Sequence, residues 1–149
     1  MKESKNILKE NSTVHNLNKI LKNGGVIAFV TDTVWGLGCL PSSKEGVDKI
    51  YEIKGRDKSK PLILMSNNAD NLLPYINKLS DKSKMLIDKY FPGALTIVSE
   101  KSDKTPDYIT SGKNTVGIRV PNNNFFKQLC SVIDGHVLAT TSANLSNHP

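Results

Sequence analysis

The chain has 149 residues, a formal net charge of +6, and 38% hydrophobic against 23% charged residues. That is enough for one buried core, and too mixed in sign for a disordered tail or a fibrous repeat. No run approaches the ~18 apolar residues of a membrane span and Met1 to Asn6 lacks the apolar stretch of a secretory signal, so a soluble, cytoplasmic protein without a membrane partner is expected.

In chain order, Val14, Leu17, Ile20 and Leu21 recur at helical spacing over Asn11 to Lys22, and Gly24-Gly25 offers a stop. Val26 to Val30 is a continuous apolar run that predicts a strand covered on both faces, ending in Thr31-Asp32-Thr33. A Ser42-x-x-Glu45 capping box then precedes a helix whose Val47, Ile50, Tyr51 and Ile53 share a face. Pro61 to Met65 reads as a second buried strand, and Asn68 to Tyr90 as two short helices broken near Pro74 and Ser80. Ala94 to Val98 is expected as a strand, and polar Ser99 to Asn114 as a long mobile loop suited to a lid. Thr115 to Val120 predicts a strand, Phe125 to Ile133 a helix, and Val137 to Thr141 a final strand before Ser142-Ala143-Asn144. Strands alternating with helices, without a linker or repeat, make the expectation a single α/β domain over residues 1–149.

Cys39 and Cys130 stand apart without CxxC spacing and with only three histidines in the chain, which argues against a zinc motif or disulfide framework; two buried thiols and no metal site are expected. Of the 20 basic residues only Arg56 and Arg119 are arginine. Against a lysine background, a kept arginine points to a need for its planar fork, which grips a carboxylate or phosphate with two hydrogen bonds; a structural salt bridge is the competing reading. Lys54 to Lys60 packs four cations into seven positions around Gly55, which suits a triphosphate or, equally, an exposed basic helix end. Thr31-Asp32-Thr33 and Ser142-Ala143-Asn144 offer short hydroxyl and amide groups that could orient an amino acid or nucleotide, or simply cap turns. Asp134, His136 and Ser142 have triad chemistry without a GxSxG elbow. Gly36-Leu37-Gly38 and Gly112-Lys113-Asn114-Thr115 fall short of dinucleotide and Walker A motifs.

Taken together, Thr31 to Gly38, Lys54-Gly55-Arg56 with Lys60-Pro61-Leu62, Phe91-Pro92-Gly93, Gly117 to Pro121 and Thr141 to Ser146 resemble the YrdC-like family of threonylcarbamoyl-adenylate synthases, over about residues 15–149. Five short motifs in family order carry the resemblance. It implies a twisted mixed sheet flanked by helices around a large concave basic cavity, and a C-terminal part shortened relative to the family, whose domains usually add further strands. It also implies that threonine and bicarbonate form a carbamate that attacks the α-phosphate of ATP, with magnesium accompanying the ATP and no tightly bound cofactor. The product would feed a downstream threonylcarbamoyl-transferase complex that modifies position 37 of tRNAs reading ANN codons. Carried over by position, Lys54 and Arg56 would be catalytic; Lys54, Arg56, Lys60, Thr115, Ser142 and Asn144 would contact ATP; and Thr33, Met65, Arg119 and Thr140 would surround threonine.

The second reading is a non-catalytic module of the same fold that binds tRNA or double-stranded RNA or serves ribosome assembly, consistent with the positive charge. An unrelated carbamoyl or acyl transferase using the same cavity is a third.

Overall fold

A computed structural model describes residues 11–148. They form helices α1 (Asn11–Lys22), α2 (Lys44–Lys54), α3 (Ala69–Leu72), α4 (Asp81–Tyr90), α5 (Asp107–Thr110) and α6 (Asn124–Val132). Among these lie strands β1 (Ile27–Phe29), β2 (Gly36–Cys39), β3 (Ile63–Ser66), β4 (Ile76–Lys78), β5 (Ile97–Lys101), β6 (Thr115–Arg119) and β7 (Val137–Ser142). The strands make one mixed sheet in the order β1-β2-β7-β3-β6-β5-β4, in which β3 and β6 run parallel and the other neighbours antiparallel.

Register sorts side chains by face, because cross-strand partners project to the same side and successive residues to opposite sides. Phe29, Met65 and Leu138 fall on one face and pack with Leu21 of α1 and Phe126, Leu129 and Cys130 of α6. The Phe29 and Phe126 rings meet tilted at 5.2 Å between centroids, a favourable aromatic arrangement. Leu64, Ile118 and Ala139 fall on the other face, against Val47, Ile50 and Tyr51 of α2 and Ile109 of α5. Cys39 and Cys130 are buried free thiols, one in each cluster, as expected.

Several local expectations need correction. β1 is an edge strand with Ala28 exposed, not one covered on both faces; a short apolar run cannot reveal its place in the sheet order. The α2 cap is Ser43, whose hydroxyl accepts from Gly46 N at 3.0 Å, and Glu45 sits in the first turn instead of closing a box from Ser42. Ile53 is 55% exposed, outside the buried face. β2 and β4 have no counterpart in the sequence pattern, since two of the four residues of Gly36-Leu37-Gly38-Cys39 are glycine, which strands disfavour, and Ile76–Lys78 is only three residues long.

The expected lid over Ser99 to Asn114 is not a long loop. β5 continues to Lys101 and α5 occupies Asp107–Thr110. The segment is fastened by Ser102 Oγ donating to Pro74 O at 2.6 Å, by Thr105 Oγ1 donating to Tyr75 O at 2.8 Å, and by an ion pair from Lys101 to Asp107. Its polarity comes from a strand with one wet face and from residues that tie turns.

α2 ends where Gly55 adopts the left-handed conformation, φ 57°, and its N–H returns to the Glu52 carbonyl. That conformation costs glycine nothing. It turns the chain into the basic segment Arg56 to Lys60 and so sets where Arg56 stands.

Candidate functional site

A cavity of about 210 Å³ opens on one face of the sheet, lined by the β1–β2 connection and by residues of β3, β6 and β7. Thr33, Arg56, Met65, Arg119, Thr140 and Ser142 all line it, together with Thr31, Trp35, Pro61 and Ile63. Register explains the convergence. Met65 is the cross-strand partner of Arg119, Thr140 that of Ile63, and Ser142 that of Gly36, so residues far apart in sequence share one sheet face.

Arg119 is buried, 8% exposed, and its guanidinium is held from three directions. Its Nε donates to the Gly93 carbonyl at 3.0 Å, one terminal nitrogen donates to Thr33 Oγ1 at 3.1 Å, and the other donates to the Asp32 carboxylate. The second Asp32 oxygen accepts from the Asn122 N–H at 3.1 Å. Thr31 braces the same segment: its hydroxyl donates to the Val34 carbonyl at 2.6 Å and accepts from Thr33 N at 3.2 Å. Asp32 was legible only as part of a motif; its tie to the scarce arginine is a contact across 87 residues.

The second cationic group comes from α2. Lys54 is 3% exposed and donates to the carbonyl and hydroxyl of Ser142. Burial first, and then the neighbouring Arg56 charge, lower its pKa below the ordinary lysine value. Arg56 donates from Nε to the Lys60 carbonyl at 3.3 Å and from a terminal nitrogen to the Pro61 carbonyl at 3.0 Å. The basic segment therefore wraps its own arginine and presents it at the cavity wall.

The remaining candidates are less central. Asn144 lines an adjoining, more open depression of about 540 Å³ with Val34, Trp35, Ser142 and Ala143. Its amide donates to the carbonyls of Leu145 and His148, at 3.0 and 2.6 Å. Lys60 contributes its carbonyl to Arg56 and to Tyr51 Oη, while the residue is exposed beside the cavity. Thr115 does not line the cavity. It starts β6, four residues before Arg119 and so roughly 13 Å from it, on the same sheet face.

No hydrolase triad assembles. His136 Nδ1 lies 2.9 Å from the Cys130 carbonyl, Asp134 pairs with Lys22 at 3.2 Å, and Ser142 is engaged by Lys54. Among the described residues no cluster of three His, Cys, Asp or Glu could hold a metal, and no helix is long and apolar enough to cross a membrane.

The sequence and the fold have relatives among known proteins. Residues 19–149 match the Sua5/YciO/YrdC family model, described as telomere recombination. A threonylcarbamoyl-AMP synthase of Buchnera aphidicola is 38% identical over 130 residues, which are 86% of this chain and 74% of that one. One from Klebsiella pneumoniae is 37% identical over 132 residues, covering 87% and 69%. The crystal structure of Pyrococcus abyssi Sua5 complexed with L-threonine superposes with a TM-score of 0.86 at 31% identity, over 94% of this chain and 41% of that one. Escherichia coli YciO shares the fold, with a TM-score of 0.81 at 24% identity over 93% of this chain and 67% of its own.

Proposed function

Because the chain belongs to the Sua5/YciO/YrdC family, we propose that it is a threonylcarbamoyl-AMP synthase acting in the threonylcarbamoyladenosine modification of tRNAs that read ANN codons. The reaction joins threonine, bicarbonate and ATP, giving threonylcarbamoyl-AMP, pyrophosphate and water. The observation that carries the reading is the convergence of Thr33, Arg56, Met65, Arg119, Thr140 and Ser142 on one cavity.

In this reading threonine takes the cavity. At about 210 Å³ it is smaller than the ~300–1,000 Å³ of drug-sized ligand sites, which suits an amino acid and not a whole nucleoside triphosphate. The Arg119 fork takes the carboxylate, and Thr33, Thr140 and Met65 surround the side chain. ATP, entering with its magnesium, lies from Lys54 and Arg56 over Ser142 toward the Asn144 depression, with Lys60 and Thr115 as its outer contacts.

The chemistry needs no covalent intermediate on the protein. Threonine nitrogen and bicarbonate condense to a carbamate with loss of water; a carbamate oxygen attacks the α-phosphorus, and the bond to the β-phosphate oxygen breaks as pyrophosphate leaves. Lys54 and Arg56 stabilise negative charge building on the phosphate oxygens, and confinement in the cavity lowers the entropic barrier.

The test is pyrophosphate release from ATP, magnesium and bicarbonate, with and without threonine. Threonine-dependent release that Arg56→Ala abolishes in a folded protein supports the reading. No release from the folded wild type, combined with RNA binding that weakens steeply with salt, supports the non-catalytic module instead.

A further inference from the structure

We infer that Asp32 is a positioning residue that presets the Arg119 fork for a ligand carboxylate. A guanidinium carries five N–H donors. In this fold three are spent: on Gly93 O, on Thr33 Oγ1 and on Asp32. Among the described residues no partner takes the second donor of either terminal nitrogen, and Arg119 lines the cavity. Two free donors on one planar group are what a bidentate carboxylate contact requires.

Asp32 is the only charged member of this set, and it does two things at once. One oxygen takes Arg119 and the other takes the Asn122 N–H, three residues further along. The carboxylate thereby fixes the fork relative to the connection that follows β6 and fastens that connection to the segment bearing Thr33 and Trp35. Both side chains are largely withdrawn from water, Arg119 at 10% exposure and Asp32 at 18%, so solvent screens the pair weakly. An arginine left to itself would spread over many rotamers, and each would have to be given up on binding.

The ligand arm of this inference rests on the reading of the cavity as the threonine site; the positioning arm does not. With only two arginines in the chain, the Nε–H region of a nitrogen-15 spectrum holds two signals, and Arg56→Lys assigns them. Asp32→Asn is expected to cut the solvent-exchange protection of the Arg119 signal by about tenfold or more while leaving the Arg56 signal in place. Threonine should then bind about tenfold more weakly by calorimetry, the scale of losing a charge-assisted hydrogen bond, with ATP affinity within about twofold of wild type.

An Arg119 signal unchanged in Asp32→Asn overturns the inference, and so does a released Arg119 with undiminished threonine affinity. If the wild type binds no threonine while Asp32→Asn still frees Arg119, the substrate reading fails and the positioning role stands. Should Asp32→Asn not fold, Asp32→Glu keeps the charge but lengthens the arm. It is expected to displace the Arg119 signal and weaken threonine binding, and no change in either overturns the inference.

Discussion

The Lys54 ammonium, at the last turn of α2, donates to both the carbonyl and the hydroxyl of Ser142, 88 residues away at the end of β7. A buried ammonium is tolerated only with such partners. The contact pins the helix end to the sheet and holds the Ser142 hydroxyl at the cavity wall. It also brings the serine–asparagine segment and the basic segment side by side although the chain separates them.

Lys54→Met keeps the aliphatic stem but leaves the Ser142 carbonyl without its donor. Urea unfolding should show a loss of about 1–3 kcal/mol, the cost of an unsatisfied buried acceptor. Turnover should fall about 100-fold or more, as for loss of a group that stabilises developing charge. Full activity in a folded Lys54→Met protein would remove Lys54 from the catalytic set.

The lowered Lys54 pKa also sets a pH dependence. Between that lowered value and the ordinary lysine value, the unfolded chain binds more protons at this position than the folded one. The stability contribution of Lys54 therefore rises with pH across this window. In the proposed reaction Lys54 acts in its charged form, so turnover moves the other way. The alkaline limb of turnover is expected below the ordinary lysine range, while the stability of wild type relative to Lys54→Met improves over the same interval; a limb at or above the ordinary lysine value contradicts this.

Burial pushes the thiols of Cys39 and Cys130 up to about 12, so neither forms thiolate near neutral pH. A chromogenic disulfide reagent should label neither in the native protein and both after denaturation. Activity should be indifferent to the reagent under native conditions. Rapid native labelling of either cysteine would show that its cluster opens readily.

Gly36 faces the Phe29 ring so closely that a Cβ there would lie 2.6 Å from a ring carbon. Phe29 is fully buried against Phe126 and has little room to yield. Gly36→Ala should cost about 1–3 kcal/mol by thermal or urea unfolding, the range for overpacking a core. Combining it with Phe29→Leu should recover part of that loss; purely additive losses would mean that the ring is not the obstacle.

α1, α2 and α6, the apolar strands β3 and β7, the buried cysteines and the scarcity of the two arginines were readable along the chain. Each depends on neighbours within a few residues: apolar spacing, a capping hydroxyl, a run of strand length, or a scarce residue among commoner ones. The convergence of Thr33, Arg56, Met65, Arg119, Thr140 and Ser142, the engagement of Arg119 by Asp32 and the absence of Thr115 from the cavity lining were decided only by tertiary structure. So were β2, β4 and the fastening of the supposed lid. These follow from strand order and register, which bring together residues tens of positions apart through cross-strand contacts that local periodicity does not encode.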